Sequence, residues 1–165
     1  IVIVEFSDYQ CPFCRVADLL LDSLVPATDV QIAFRHFPLA AIHPAATGAA
    51  RSAICAERQG RFGEMHRQLI STERWQTDTN WIREATAARI PDITEFRRCL
   101  TAASPDARLV EDGELGRRLG IRGTPTFLSR RSIHRGSDGL RDFVRAADSA
   151  FRAHVGVARR KQVGP

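Results

Sequence analysis

The sequence lacks long apolar runs, internal repeats, compositional bias and a large number of cysteines. No stretch approaches the roughly 18 consecutive apolar residues that span a bilayer. The chain has no internal repeat, and 11 glycines and 8 prolines in 165 residues exclude a collagen-like or low-complexity chain. Four cysteines are too few for a disulfide-rich scaffold. We therefore predict one globular domain over residues 1–156, with a hydrophobic core of ordinary size.

Lysine is almost absent, and arginine supplies nearly all of the 24 basic residues that stand against 19 acidic ones. The resulting net charge of +5 could attract nucleic acid. However, the arginines are scattered among Asp and Glu, and only Arg159, Arg160 and Lys161 cluster, within a basic C-terminal tail predicted for residues 157–165. We therefore expect no nucleic-acid partner.

The first segment predicts a strand, a short loop and a helix. Residues 1–6 form a nearly continuous apolar and β-branched run, which is typical of a strand covered on both faces. Apolar residues then recur at helical spacing after Pro12, and a helix tolerates proline in its first turn. The pattern therefore places Cys11 at a helix N-terminus.

The remaining pattern gives the order of the other elements. A second strand is predicted over residues 30–37, several helices over about 44–119, a short hairpin over 126–135 and a last helix from Leu140. This is the order of a thioredoxin-like α/β fold, a mixed sheet flanked by helices, with an inserted helical subdomain at about 44–119.

The Cys11-x-x-Cys14 spacing predicts a redox-active pair. A helix N-terminus stabilises the thiolate of Cys11, because unpaired backbone amides and the positive end of the helix dipole face it. Cys14 lies one turn further on and is expected to be more covered, so the two sulfurs can form a disulfide that is attacked at Cys11. The alternative is half of a zinc site, but neither Cys55 nor Cys99 has a close Cys or His partner, and we expect no metal or organic cofactor.

Two further features accompany the pair. Glu5 interrupts the apolar strand, either because the strand ends near water there or because a buried carboxyl exchanges a proton with Cys14. Thr124 and Pro125 precede a short strand, where proline suits an edge strand. If their peptide bond is cis and packs beside Cys11, the Thr124 backbone can bind an extended peptide while Pro125 shields the sulfurs from metal.

These residues resemble a known family. Residues 4–14 (Val-Glu-Phe-Ser-Asp-Tyr-Gln-Cys-Pro-Phe-Cys) are similar to the active-site segment of DsbA-type thioredoxin-like disulfide oxidoreductases. Residues 35–39, 53–66 and 120–127 are similar to later segments of that family in the same order, and the resemblance runs from Ile1 to about Phe151.

The resemblance implies Cys11 as nucleophile, Cys14 as resolving thiol, Pro125 in cis and Glu5 as a buried acid. It also implies that the protein introduces disulfides into exported, unfolded or partly folded proteins, and that a membrane quinone-linked oxidase reoxidises it. The expected location is the bacterial periplasm or cell envelope, with a possible membrane tether before Ile1. Phe13 replaces the histidine of the strongest oxidants, which predicts a milder oxidant.

The other two cysteines, Cys55 and Cys99, fall at positions where similar family members have a structural disulfide. Closing a loop of about 45 residues would stabilise the fold by about 4 kcal/mol. The alternative is two buried free thiols.

Three readings of function remain open from the sequence. A disulfide reductase or isomerase would use the same cysteine pair, and a peptide-binding module would use only the groove beside Pro125.

Single histidines are usually structural, and we expect His36, His43 and His66 to be so.

Overall fold

The computed structural model describes residues 1–103, 106–130 and 132–162. Its strands form one sheet in the order β2-β1-β3-β4. Their bounds are β1 (Val2–Ser7), β2 (Gln31–His36), β3 (Thr126–Ser129) and β4 (Ser132–Arg135). β2 runs parallel to β1, whereas β3 is antiparallel to both β1 and β4. β1 has a strand partner on each side and is an inner strand of the sheet. The predicted cover on both faces holds for Ile3, Glu5 and Phe6, which are buried, whereas Val2 is exposed.

The helices follow the predicted order. α1 (Pro12–Leu24) joins β1 to β2, and α7 (Leu140–Gln162) follows β4. Between β2 and β3 lie α2 (Ala46–Glu57), α3 (Phe62–Ser71), α4 (Trp81–Ala87), α5 (Ile93–Thr101) and α6 (Ala107–Arg118). The expected α/β thioredoxin-like fold with an inserted helical subdomain is confirmed.

One face of the sheet packs against α1 and α7. Ile3 of β1 and Phe127 of β3 are fully buried against Ala17 of α1 and Val144 of α7. The apolar positions of α1 therefore fix the helix over β1, which brings its N-terminus to the end of that strand.

The opposite face packs closely against α6. A Cβ atom at Gly116 of α6 would lie 2.5 Å from the Phe37 ring and 3.2 Å from the Phe6 ring. The absence of a side chain at Gly116 therefore allows the helix to approach the two rings.

The inserted helices have a core of their own. Trp75, Met65 and Phe96 are fully buried there. A disulfide joins Cys55 of α2 to Cys99 of α5, with their Cα atoms 5.8 Å apart.

The C-terminal helix is longer than the sequence analysis predicts. The boundary placed at residue 156 falls inside α7, so residues 157–162 continue the helix instead of starting a separate tail. Residues 163–165 of that predicted tail lie outside the described residues. Among the described helices, none combines the length and the hydrophobicity needed to cross a membrane.

Candidate active site

The two cysteines lie at the start of α1, where β1 delivers the chain to the helix. Cys11 is the N-cap residue and Pro12 occupies the first turn. The Cys11 carbonyl accepts hydrogen bonds from the backbone N–H groups of Cys14 and Arg15. Cys11 is 4% exposed and Cys14 is fully buried, so the predicted difference in accessibility is present but small.

The surroundings of the two thiols shift their pKa values in opposite directions. A hydrogen bond from the Cys14 thiol lowers the pKa of Cys11 to about 6, and the backbone amides of Cys14 and Phe13 act in the same direction, against the effect of burial. Burial raises the pKa of Cys14 well above its usual value, and the neighbouring Cys11 adds to this. At neutral pH the Cys11 thiol therefore ionises more readily than the Cys14 thiol, which keeps its proton.

The loop before β3 faces Cys11 across the site. The Thr124–Pro125 peptide bond is cis, and the Cys11 thiol donates a hydrogen bond to the Thr124 carbonyl at 3.3 Å. The buried Thr124 hydroxyl has no hydrogen-bond partner while Cys11 is a thiol. It can donate to the ionised sulfur, and this lowers the pKa of Cys11. The expectation of an edge strand is wrong, because β3 lies between β1 and β4; Pro125 is accommodated because it precedes the first paired residue, Thr126.

Glu5 is buried under α1. It is 1% exposed, so the alternative of a strand end near water is wrong. Burial raises the pKa of its carboxyl to about 7, against a smaller opposing effect of the Ser7 hydroxyl. The same hydroxyl opposes the effect of burial on the Cys14 thiol. Ser7, which lies on the same strand face as Glu5, thus interacts with both the Glu5 carboxyl and the Cys14 thiol.

Asp8 organises the loop before Cys11, and the sequence analysis missed it. Its buried carboxylate accepts hydrogen bonds from the backbone N–H groups of Gln10 and Leu39, each at 2.8 Å, and lies 2.8 Å from His43 Nδ1. The Asp8 backbone N–H points to Cys14 Sγ at 3.4 Å. The carboxylate therefore holds the cysteine loop against the segment that follows β2.

The other two histidines named in the sequence analysis, His36 and His66, lie on β2 and α3. His66 of α3 contacts the Tyr9 hydroxyl through Nδ1 at 3.0 Å and Asp18 Oδ1 through Nε2 at 2.7 Å. His36 is buried, and burial lowers its pKa to about 4. No group of three or more potential metal ligands occurs among the described residues.

A cysteine pair at a helix N-terminus, opposite a cis-proline loop on this fold, defines a thioredoxin-like redox protein. The chain belongs to the DSBA-like thioredoxin domain family, whose model matches residues 2–148. Membership supports thiol-disulfide oxidoreductase chemistry in general.

Two curated proteins and one solved structure illustrate the similarity. The Na(+)/H(+) antiporter NhaA 3 of Salinispora tropica is 32% identical over 152 residues, which are 92% of this chain and 23% of that protein. A probable disulfide bond formation protein D of Bacillus anthracis is 24% identical over 136 residues, 75% of this chain and 62% of that protein. A thioredoxin-like oxidoreductase from Silicibacter pomeroyi DSS-3 is 28% identical, with a TM-score of 0.73 over 96% of this chain and 86% of that one. The chain thus spans about a quarter of the antiporter relative.

Proposed function

We propose that this domain transfers the Cys11–Cys14 disulfide to cysteine thiols of protein substrates. The contact between Cys11 Sγ and the Thr124 carbonyl, with Cys14 covered behind it, is the observation that carries this proposal. A substrate thiolate attacks Cys11, a mixed disulfide forms, and Cys14 leaves as a thiolate. A second substrate thiolate then attacks the substrate sulfur of the mixed disulfide. The substrate loses two electrons, and Cys11 and Cys14 gain them.

The site is suited to an extended polypeptide. Cys11 carries no thiol proton in the Cys11–Cys14 disulfide or in the mixed disulfide, so in both forms the Thr124 carbonyl is free to accept a hydrogen bond from a substrate backbone. Exposed apolar side chains of Phe13 and Val16 on α1, and of Ile42 in the segment held by Asp8, offer contacts for unfolded or partly folded chains.

Glu5 serves as the buried acid in this proposal. Its carboxyl is protonated in part near neutral pH and can supply the proton that the Cys14 thiolate takes up when it leaves. Thr124 and Pro125 shape the binding side of the site, and Cys55–Cys99 is a structural disulfide.

The experiment is oxidation of a reduced test protein by the oxidised domain. Cys11→Ser should abolish the reaction, whereas the surface substitution His154→Gln should leave it unchanged. A peptide-binding module without redox activity would give no oxidation by the unmodified domain, and that result would refute the proposal.

Reduction or isomerisation of disulfides is the second candidate. A Cys11 pKa of about 6 lies between the values of about 7 in thioredoxin and about 3.5 in DsbA. The equilibrium of the Cys11–Cys14 couple with glutathione separates the two directions. A potential near about −120 mV supports oxidation, and one near about −270 mV supports reduction.

We further propose an extracytoplasmic location and reoxidation by a membrane quinone-linked oxidase. The Cys55–Cys99 disulfide supports an oxidising compartment. Resemblance to part of a protein named as an antiporter is consistent with work near a membrane. Thiol alkylation in intact cells, with a reagent that does not cross the inner membrane, tests the location. Reoxidation of the reduced domain by membranes with and without quinone tests the source of the oxidising equivalents.

A further inference from the structure

The main chain of Asp8 contacts both cysteines of the site. Its N–H donates to Cys14 Sγ at 3.4 Å, and its carbonyl accepts a hydrogen bond from the Cys11 N–H at 3.1 Å. Asp8 directly follows the last residue of β1, so it lies outside the strand pairing of the sheet. Its N–H is therefore available to the sulfur.

The Cys14 sulfur is the atom on which charge develops during exchange. A substrate thiolate attacks Cys11 Sγ, the substrate–Cys11 bond forms as the Cys11–Cys14 bond breaks, and the electron pair of the broken bond stays on Cys14 Sγ as a thiolate. Cys14 is fully buried, and burial raises its pKa, whereas the Asp8 N–H opposes this rise. A buried sulfur that becomes negative needs a donor fixed in advance, because it is not exposed to water.

The carboxylate of Asp8 fixes the position of this N–H. Its Oδ1 accepts a hydrogen bond from the Gln10 N–H, and its Oδ2 accepts one from the Leu39 N–H. His43 Nδ1 lies 2.8 Å from the same Oδ2. A carboxylate only accepts hydrogen bonds, so His43 Nδ1 carries a proton and donates it. Because three donors balance the charge locally, the carboxylate acts on the sulfur by holding the main chain in place.

The segment that grips Asp8 is itself ordered. In residues 39–43 the Leu39 carbonyl accepts hydrogen bonds from the N–H groups of Ile42 and His43, each at 2.9 Å. The side chain of Asp8 is fully buried, and that of His43 is 17% exposed. The chain of contacts therefore runs from the covered sulfur to the surface of the segment after β2.

We propose that the Asp8 N–H stabilises the Cys14 sulfur as charge develops on it in the transition state of exchange, and that the Asp8 carboxylate and His43 hold this donor in place. The inference rests on the proposed thiol-disulfide exchange and adds a donor for the leaving sulfur. In the reverse step Cys14 loses its proton and attacks the mixed disulfide at Cys11, and the same N–H faces the same sulfur. The carboxylate and His43 act through the N–H and are positioning residues.

A donor that serves the transition state has a kinetic signature. It accelerates the forward and reverse steps by the same factor and leaves the equilibrium between them unchanged. A residue that stabilised only the oxidised or only the reduced form would change the equilibrium constant of the cysteine pair with glutathione. The two roles therefore give different results.

The test measures two rates and one equilibrium on the full chain at neutral pH. Loss of the Cys11–Cys14 disulfide in glutathione gives the forward rate. The reverse rate is measured on a mixed disulfide of Cys11 with thionitrobenzoate, from which Cys14 displaces the coloured thiolate. The variants are Asp8→Ala, His43→Ala and His43→Asn, and the surface control is His154→Ala. In His43→Asn the amide nitrogen takes the place of Nδ1 and retains a donor for the carboxylate.

We expect Asp8→Ala to slow both rates about tenfold and His43→Ala to slow both about threefold, with the equilibrium constant changed less than about twofold. His43→Asn and His154→Ala should keep the wild-type rates. Unchanged rates in Asp8→Ala would overturn the proposal. An equilibrium shift as large as the change in rate, or a His43→Asn variant as slow as His43→Ala, would overturn it as well.

Two further comparisons keep the outcomes separate. If Asp8→Ala does not fold, the two His43 variants decide, because they leave the backbone donors to Asp8 intact, and equal rates in the two would overturn the proposal. If the wild type fails to oxidise a reduced protein through Cys11, the proposed function fails. If that oxidation proceeds and the variants keep the wild-type rates, only the role of Asp8 and His43 fails.

Discussion

At the scale of single residues, the Thr124 hydroxyl is unusual because it is buried without a hydrogen-bond partner while Cys11 is a thiol. Ionisation of Cys11 supplies an acceptor for it. A hydrogen bond to a charged group contributes about 1.5 kcal/mol or more, which corresponds to about one pKa unit. We therefore expect Thr124→Val to raise the pKa of Cys11 by about one unit.

The rate of Cys11 alkylation as a function of pH measures this change. Thr124→Ser retains the hydroxyl and should keep the wild-type profile. An unchanged pKa in Thr124→Val would show that the hydroxyl does not serve the thiolate.

Glu5 should make stability depend on pH. Its pKa is about 7 in the folded protein and 4.5 as the reference for the unfolded chain, so between these values the folded state binds more protons. The contribution of Glu5 to stability is therefore largest below about pH 4.5, falls as the pH rises to about 7, and is level above it. The integrated loss is roughly 3 kcal/mol.

Urea unfolding across this pH range tests the expectation. Glu5→Gln should remove this fall in stability, whereas the exposed Glu114→Gln should retain it. A wild-type stability profile that Glu5→Gln leaves unaltered would contradict a strongly raised pKa at Glu5.

At the scale of elements, α6 offers a matched pair of glycines. A Cβ atom at Gly116 would meet the rings of Phe37 and Phe6, whereas one at Gly113 has only the flexible end of Arg117 at 3.5 Å. We expect Gly116→Ala to destabilise the fold by about 1–3 kcal/mol through overpacking. Gly113→Ala should stabilise it by about 0.5–1 kcal/mol, because alanine favours a helix. Chemical denaturation of both variants checks the contrast, and a stabilising Gly116→Ala would refute close packing of α6 on the sheet.

The elements were predictable where the sequence pattern is local. Pro12 and the apolar spacing after it indicate where α1 begins. That start places Cys11 at the N-terminus of the helix. The resemblance placed Thr124 and Pro125 opposite it. The position of β3 inside the sheet was not predictable, because strand order depends on pairings far apart in sequence.

The polar groups around the site were harder to predict for the same reason. Asp8 binds segments that follow β2, and His66 reaches Asp18 from another helix. Asp18 did carry a signal, since it lies one turn after Cys14 and one turn before Asp22 on the same face of α1. Nothing local distinguishes His43 from a structural histidine.

At the scale of the whole molecule, the Cys55–Cys99 disulfide ties α2 to α5 within the inserted helices. The two cysteines are 44 residues apart, and the chain-entropy relation gives a stabilisation of about 4 kcal/mol. We expect the double variant Cys55→Ala and Cys99→Ala to lose about that free energy of unfolding, while the Cys11–Cys14 pair still exchanges disulfides.

Denaturant titration of the variant and of the wild type gives the difference, and oxidation of a reduced protein at low temperature checks the active pair. A variant as stable as the wild type would show that the bond adds no net stability. Loss of exchange in a variant that remains folded would mean that the inserted helices shape the redox site directly.

The segment between β1 and α1 is held by two separate interiors. Tyr9 packs in the core of the inserted helices, whereas Ala17, a short way along the same chain, packs in the core of the sheet. The cysteine segment is therefore anchored by side chains in both hydrophobic cores, in addition to the hydrogen bonds that Asp8 makes around it. A substitution that weakens the packing of either core would therefore increase the motion of the cysteine segment, even if every residue in contact with the two sulfurs were unchanged.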